Sequence, residues 1–416
     1  MGSLLEPIAG IVDTAFVGRL GPVEIGALGI SVSIFNSFFW VFNFLIHIPM
    51  ENASKGSVEG REKLIVQAQV GLSISILVGV LSFLFLYTFS ESLLFFAGAD
   101  SSTINEASKY FNIRILGQPL VLTYFCLLSI LRGFGKAKIS LVPIAISILV
   151  NIVISYFLIF HYSLSIAGAA YGTLISQIIG LGVICLLVWK YMGKDVFILR
   201  KLSLALFTSF SKKSLFLFCR SFILTSIFFF STKVAASFGV LHLSSFQIGL
   251  QFWLFSSFFV DGVAMVGNIE SAKLKALKNR SEFILFCQNL FTLSFYLGCV
   301  FAAVYFFFSA PLIKLFTENP AIQNTLGSSF FIIALGQIVN ALAFSIDGVF
   351  FGLGGYRRLA KMMMLNFFFC YVPLTLLSVS YSNIQVLWVA LAMTSIFRWF
   401  YLKRLIYQEF DHIGTC

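Results

Sequence analysis

Apolar residues run along this chain in long blocks, and short polar connections separate them from one end to the other. The blocks do not alternate. Stretches such as 144–160 and 283–308 are apolar at consecutive positions, whereas the strand of an outer-membrane barrel alternates apolar and polar residues. Helices are therefore expected. A helix needs about 20 predominantly apolar residues to cross a bilayer. That length recurs about twelve times, at 2–20, 24–48, 63–88, 110–131, 139–160, 165–191, 214–237, 243–270, 283–308, 323–353, 358–380 and 384–407.

The longest polar connection is 192–213, which divides the chain into an N-terminal six-helix bundle over 1–191, a cytoplasmic linker, and a C-terminal six-helix bundle over 214–416. Short phrases repeat across that division. Gly21, in a small turn before an apolar run, has a counterpart in Gly239, 218 residues on. The run from Leu131 to Lys138 (LRGFGKAK) pairs with Phe350 to Arg357 (FFGLGGYR) at a separation of 219. The expected fold is an all-α integral membrane protein whose two bundles are related by a parallel internal repeat, as many transporters are.

Composition agrees with a membrane solvent. Only 11% of the residues are charged and 59% are hydrophobic, against roughly a quarter charged in a soluble domain. The net charge of +11 does not indicate nucleic acid, because Lys and Arg gather in the connections, including Lys136 with Lys138, the stretch 190–220, 273–280, and Arg357, Arg358 and Lys361. Such an asymmetry orients a membrane protein with its basic loops in the cytoplasm. With both termini cytoplasmic, every Lys and Arg falls on or near that side except Arg19, Lys109, Arg114, Lys233 and Lys314. The seven cysteines form no Cys-x-x-Cys pair and the four histidines no ligand pattern, so neither a metal nor a cofactor is expected.

Polar side chains inside apolar runs are then the places to look for chemistry. Asp13 sits among Ile, Val, Ala and Phe. A carboxylate at membrane depth costs several kcal/mol unless it is paired, hydrated or protonated. Read alone, it is either a functional group or a helix-end residue solvated at the interface. Pro7 and Gly10 before it are points where a helix bends. Asn36, Asn151, Ser155 and Gln177 lie well inside their spans and are either cavity residues or glue between helices. Asp261 and Asp347, each followed by glycine and placed toward the cytoplasmic ends of their spans, are either cavity groups or turn residues. The membrane-depth charges in this reading are acidic.

Residues 6–21 (EPIAGIVDTAFVGRLG) resemble the first membrane segment of the multidrug and toxic compound extrusion (MATE) transporters, nearest to the DNA-damage-inducible protein F (DinF) branch. The LRGFGKAK run, Asn151 to Phe160, the stretch Ile166 to Thr173, and the Asp-Gly phrases at Asp261 and Asp347 follow in the family's order. The resemblance implies a secondary antiporter that exports organic compounds by alternating access, driven by a proton or sodium gradient. It implies Asp13, Asn151 and Gln177 as coupling-ion residues, and Asn36, Ser155, Asp261 and Asp347 as cavity residues. Acidic depth charges favour cationic or neutral cargo. The expected setting is the plasma (inner) membrane, with a small-molecule substrate and the lipid bilayer as partners and no nucleic acid, the protein being a monomer and not an enzyme. Two other classes stay open at this point: a lipid-linked saccharide flippase of the same broad plan, and a membrane-embedded transferase.

The chain departs from the family pattern twice. Ser155 stands where an Asp is common, one turn after Asn151, and a hydroxyl does not change charge at working pH. Pro7 also follows Met1 closely, so the first helix reads as cut short, at about 28 Å for 2–20.

The orientation is tested by labelling. In a protein cleared of native cysteines, single cysteines at Gly98 or Ser382 are expected to react with an impermeant thiol reagent added outside the cell. Ones at Lys194 or Asn279 are expected not to, and equal labelling of both sets ends the twelve-span reading.

Overall fold

The computed structural model of the chain describes residues 12–13, 16–17, 20, 22–97, 99, 103–198, 204–316 and 320–411. With no water in the hydrocarbon layer to take up backbone N–H and C=O groups, an apolar block must satisfy them within itself, and the helix is the form that does so. The first unit, Met1–Ser214, contains α1 (Pro22–Val41), α2 (Phe44–Glu59), α3 (Arg61–Thr88), α4 (Ser90–Phe96), α5 (Ile104–Ile115), α6 (Gln118–Leu131), α7 (Leu141–Tyr156) and α8 (Ser165–Met192). The boundary falls within α9 (Leu204–Ser237). The second unit, Leu215–Cys416, continues with α10 (Val240–Ala276), α11 (Arg280–Phe307), α12 (Ser309–Lys314), α13 (Pro320–Leu353), α14 (Tyr356–Asn366), α15 (Val372–Ser380) and α16 (Ile384–Asp411).

Among the described residues, 10 helical segments are long and apolar enough to cross a membrane, and they coincide with the third to twelfth expected spans. The second expected span is α1 followed by α2, and most of the first lies outside the described residues, as do Pro7 and Gly10. Two ends differ from expectation for local reasons. The fourth span divides into α5 and α6 at Leu116 and Gly117, because Pro119 at the start of α6 has no N–H to give to a preceding turn. The seventh begins at Leu204, ten residues earlier than its apolar run, so helix extends into the polar connection. The start of that connection, a single 3-10 turn at Lys194–Phe197, is tied to α3: Gln69 donates to the carbonyls of Asp195 at 2.7 Å and Ile198 at 2.8 Å.

The internal repeat is visible in the backbone. Helices α3 and α11 begin 219 residues apart, at Arg61 and Arg280, and both run for 28 residues. The short α4 and α12 begin at Ser90 and Ser309, at the same separation. Gly135 and Gly354, again 219 apart, both adopt positive φ, 85° and 74°, where a side chain is strained. Two residues before each, a glycine lies against a neighbouring backbone: a Cβ at Gly133 would stand 2.5 Å from the Met50 carbonyl oxygen, and one at Gly352 2.2 Å from that of Asn268. The repeated sequence phrase is thus a repeated packing device, a glycine that admits a helix followed by a glycine that turns the chain.

In the second unit, Gly348 and Gly352 lie four apart on α13 and bring its backbone against Ala264 and Asn268 of α10. Close approach through small residues holds helices together in lipid, where hydrophobicity gives no drive for them to associate. Gly249 and Gly336 make room for Trp388 and Trp253 in the same way. Many phenylalanines, among them Phe307 and Phe369, lie on the outer surface, where in a membrane they meet acyl chains.

This packing predicts unequal costs for one substitution. Gly352→Ala is expected to destabilise the purified protein by roughly 1–3 kcal/mol, since the added methyl has backbone against it. Gly262→Ala, on α10 with nothing within 4 Å of its Cβ position, is expected to be neutral or stabilising by up to about 1 kcal/mol. Thermal unfolding in detergent measures both, and equal melting temperatures contradict the account.

Candidate functional site

The first unit gathers its polar side chains around Asp13, which is 6% exposed. Asn151 and Ser155 share one face of α7, being four residues apart, and both are buried. Thr173, on α8, completes the group. Its hydroxyl lies 3.1 Å from Asp13 Oδ2 and 2.9 Å from the carbonyl oxygen of Ala169, one turn back on its own helix. A hydroxyl has a single proton, so Thr173 donates to one of these at a time. The Asn151 amide Nδ2 lies 3.2 Å from Thr173 Oγ1, 3.4 Å from Asp13 Oδ2 and 3.4 Å from Ser155 Oγ. Asp13 Oδ1 and Asn151 Oδ1 are buried and have no hydrogen-bond partner among the described residues.

This geometry gives the cluster two arrangements. With Asp13 ionised, Thr173 turns its hydroxyl to the carboxylate and releases Ala169. With Asp13 protonated, the carboxyl O–H donates to Thr173 Oγ1, and Thr173 keeps its bond to Ala169. One proton thus changes which groups of α8 are engaged. The same oxygens, with the two unpartnered acceptors, form a hard donor set of the kind a small cation takes.

A cavity of about 170 Å³ adjoins the cluster, between α6, α7 and α8. Asn151 and Thr173 stand in its wall, with Ser147 and Gln177 as further polar members and Tyr124 and Phe125 as aromatic ones. Gln177 is one turn beyond Thr173, and its Oε1 also has no partner among the described residues. Gly117 leaves it space: a Cβ there would stand 2.1 Å from Gln177 Oε1. An uncharged polar and aromatic wall beside a carboxylate suits a small organic guest held through ring contacts and a few hydrogen bonds.

The candidates named from sequence therefore divide. Asp13, Asn151, Ser155, and through the cavity Gln177, come together in one place. The side chain of Asn36, on α1, lies outside the described residues. Asp261 and Asp347 belong to the second unit. Asp347 is neither a cap nor a turn residue: it is 2% exposed inside α13 and accepts hydrogen bonds from Arg220 of α9 and Arg398 of α16, the latter at 2.6 Å. Asp261, half-buried on α10, lies within electrostatic reach of Arg220.

Arg220 and Arg398 correct the sequence reading. Arg220 is not part of a basic connection; it is buried in a membrane-crossing helix, as is Arg398. Depth charge in this protein is not solely acidic. Arg398 was open to discovery as a lone charge in the middle of an apolar span. Arg220 was masked by the lysines just before it. Thr173 was missed as well, although it stands four residues before Gln177 and so on the same helical face. Arg114 of α5, noted from sequence only as an exception to the orientation rule, lies within electrostatic reach of Asp13 and stacks over Phe35 at 5.1 Å.

Comparison with known proteins agrees with this architecture. The MatE family model matches residues 1–157 and 217–377. The chain is 27% identical to Protein DETOXIFICATION 42 of Arabidopsis thaliana, over 86% of this chain and 80% of that protein. It is 22% identical to DNA damage-inducible protein F of Escherichia coli, over 94% and 86% of the two chains. Among solved structures, a MOP superfamily transporter from Pyrococcus furiosus superposes with a TM-score of 0.89 at 18% identity, covering 99% of this chain and 94% of that one. A Vibrio cholerae MATE transporter does so with 0.89 at 19% identity, over 98% and 93%. With two helical bundles related by a parallel repeat, and a family model matched over most of its length, the chain belongs to the MatE family, the multidrug and toxic compound extrusion transporters.

Proposed function

We propose that this chain is a secondary antiporter of the plasma (inner) membrane, with Asp13 as the group that couples a proton or sodium gradient to export. The observation that carries the reading is the shared Thr173 hydroxyl. It lies within reach of both Asp13 and the backbone of α8, beside a cavity of about 170 Å³.

Coupling needs a group whose charge state changes the shape or the occupancy of the binding cavity. Protonation of Asp13 removes its charge from the protein interior and returns the Thr173 hydroxyl to Ala169. Loss of the proton pulls that hydroxyl, and with it one turn of α8, toward Asp13. Thr173 and Asn151 stand in both the cluster and the cavity wall, so the rearrangement reaches a bound guest directly. A sodium ion would use the same oxygens, Asp13 Oδ1 and Asn151 Oδ1 having no partner among the described residues.

The cargo of this cavity is an organic compound, cationic or neutral, since its wall is uncharged and the Asp13 carboxylate bonds to Thr173 and Asn151 in that wall. Ser155 leaves coupling in the first unit to Asp13 alone. It is fully buried, and its hydroxyl occupies the space a Gly172 Cβ would need, so a larger carboxylate there displaces α8. The protein works as a monomer with both termini in the cytoplasm.

Efflux of ethidium from proteoliposomes, driven by an imposed proton or sodium gradient, tests this. Asp13→Asn is expected to lower gradient-driven efflux by at least about a hundredfold, a lost membrane-depth charge change being worth several kcal/mol. Ethidium binding should survive, because the amide resembles the neutral acid. Asp13→Glu is expected to keep part of the rate with an altered pH profile. Undiminished efflux by folded Asp13→Asn removes Asp13 from the mechanism.

Thr173→Val keeps the size of the side chain and removes the shared proton. It is expected to slow efflux about tenfold and to shift its pH profile, the net loss of a hydrogen bond to a charged group being about 1.5–3 kcal/mol. The drive comes from proton loading, so the rate should fall as the pH on the loading side rises. A Thr173→Val profile superposable on the wild type contradicts the switch.

A further inference from the structure

We propose that the second unit holds an anion site of its own, in which Arg220 and Arg398 bind the carboxylate group of an organic acid in the place now taken by Asp347.

Two guanidinium groups, both at most 4% exposed, converge from α9 and α16 on the single atom Asp347 Oδ2. That arrangement leaves the Nε donor of each arginine unused. A guanidinium carries five N–H donors in a planar fork and pairs best with a carboxylate through two parallel bonds. Here Asp347 Oδ1 accepts nothing, and the Nε donors of both arginines have no partner among the described residues. The buried set is incompletely hydrogen-bonded, and a buried charge is stable only when its hydrogen bonds are met. Asp261 on α10 is the further charged group within reach of Arg220, and it is the less buried of the two carboxylates.

The surroundings suit an organic anion. Phe351 lies under Arg220 at 5.3 Å and Phe344 under Arg398 at 5.1 Å, which holds the guanidinium groups in place. A small cavity next to Arg398 has Phe228, Trp253 and Phe344 as its aromatic wall and Asn340, Thr394 and Ser395 as its polar one. Its volume, about 10 Å³, admits little more than a water molecule. A carboxylate from outside therefore enters by exchange: Asp347 withdraws, and the incoming group takes both forks while its apolar part extends along the rings. A purely structural clamp between α9, α13 and α16 would need no such unused donors.

The inference depends on the transport reading only in naming the ligand as cargo, and a binding measurement on the purified whole chain tests it. The probe is 4-nitrobenzoate, which quenches tryptophan fluorescence, with 4-nitrobenzamide and 4-nitrobenzylammonium as uncharged and cationic controls. The wild type is expected to bind the carboxylate at least about tenfold more tightly than either control, the loss of one buried charged contact being worth that much. Asp347→Asn, which weakens the internal competitor, is expected to tighten 4-nitrobenzoate binding about tenfold, and Arg398→Gln to abolish it. Arg398→Lys should recover only part, because an ammonium lacks the fork.

Equal binding of the three probes by the wild type overturns the proposal, whatever the variants do. So does unchanged binding by folded Arg398→Gln. Should Asp347→Asn fail to fold, the selectivity of the wild type and the loss in Arg398→Gln still decide. Failure here with Asp13-dependent ethidium efflux intact refutes the anion site alone. Selective carboxylate binding in a protein whose efflux ignores Asp13 refutes the coupling reading alone.

Discussion

A charge placed at membrane depth has to find its partners inside the protein, and this requirement organises both halves of the molecule. Water is absent from the hydrocarbon layer, so an ionised side chain there either pairs, gives up its charge, or stands in a cavity that brings water to it. The first unit meets the requirement with neutral donors. Asp13 has Asn151 and Thr173 within hydrogen-bond distance, and Arg114 at longer range. The second meets it with opposite charges, Arg220 and Arg398 on Asp347. The first unit thus sets its carboxylate among neutral donors, and the second sets its own against two cations. The two units share a backbone plan and differ in what their buried chemistry can do.

Glycine and small hydroxyl residues make these arrangements possible. Helices cannot be driven together by hydrophobicity in lipid, so they approach closely where side chains are absent and join through short hydrogen bonds. Gly172 admits Ser155, and Gly348 and Gly352 admit α10. Ser294 pairs with Ser345, and Asn340 donates to Ser257 at 3.0 Å. The price of such close packing is intolerance of added volume at those glycines. Its benefit is that a change at one buried group is passed to the neighbouring helix, because no soft layer lies between them.

What the chain's letters determined by themselves is the part governed by local rules. Helical spans follow from unbroken apolar length, since each span satisfies its own backbone. Among the described residues, ten such segments are helices. The repeat was legible at Gly133 and Gly352 because backbone contact admits no residue but glycine, so the same letter recurs at 219 residues. Asp13, Asn151, Ser155 and Gln177 stood out because a polar group in an apolar run must have a use or a partner. Tertiary structure alone decided which partner. It placed Thr173, from α8, between Asp13 and Asn151 across 160 and 22 residues of sequence. It also took Arg220 out of a basic stretch and set it with Arg398 on Asp347. Sequence position reports the charge of a residue and roughly its depth. Whether that charge faces lipid headgroups, water or an opposite charge depends on how the helix is rotated and on what packs beside it, and those are properties of the assembled bundle.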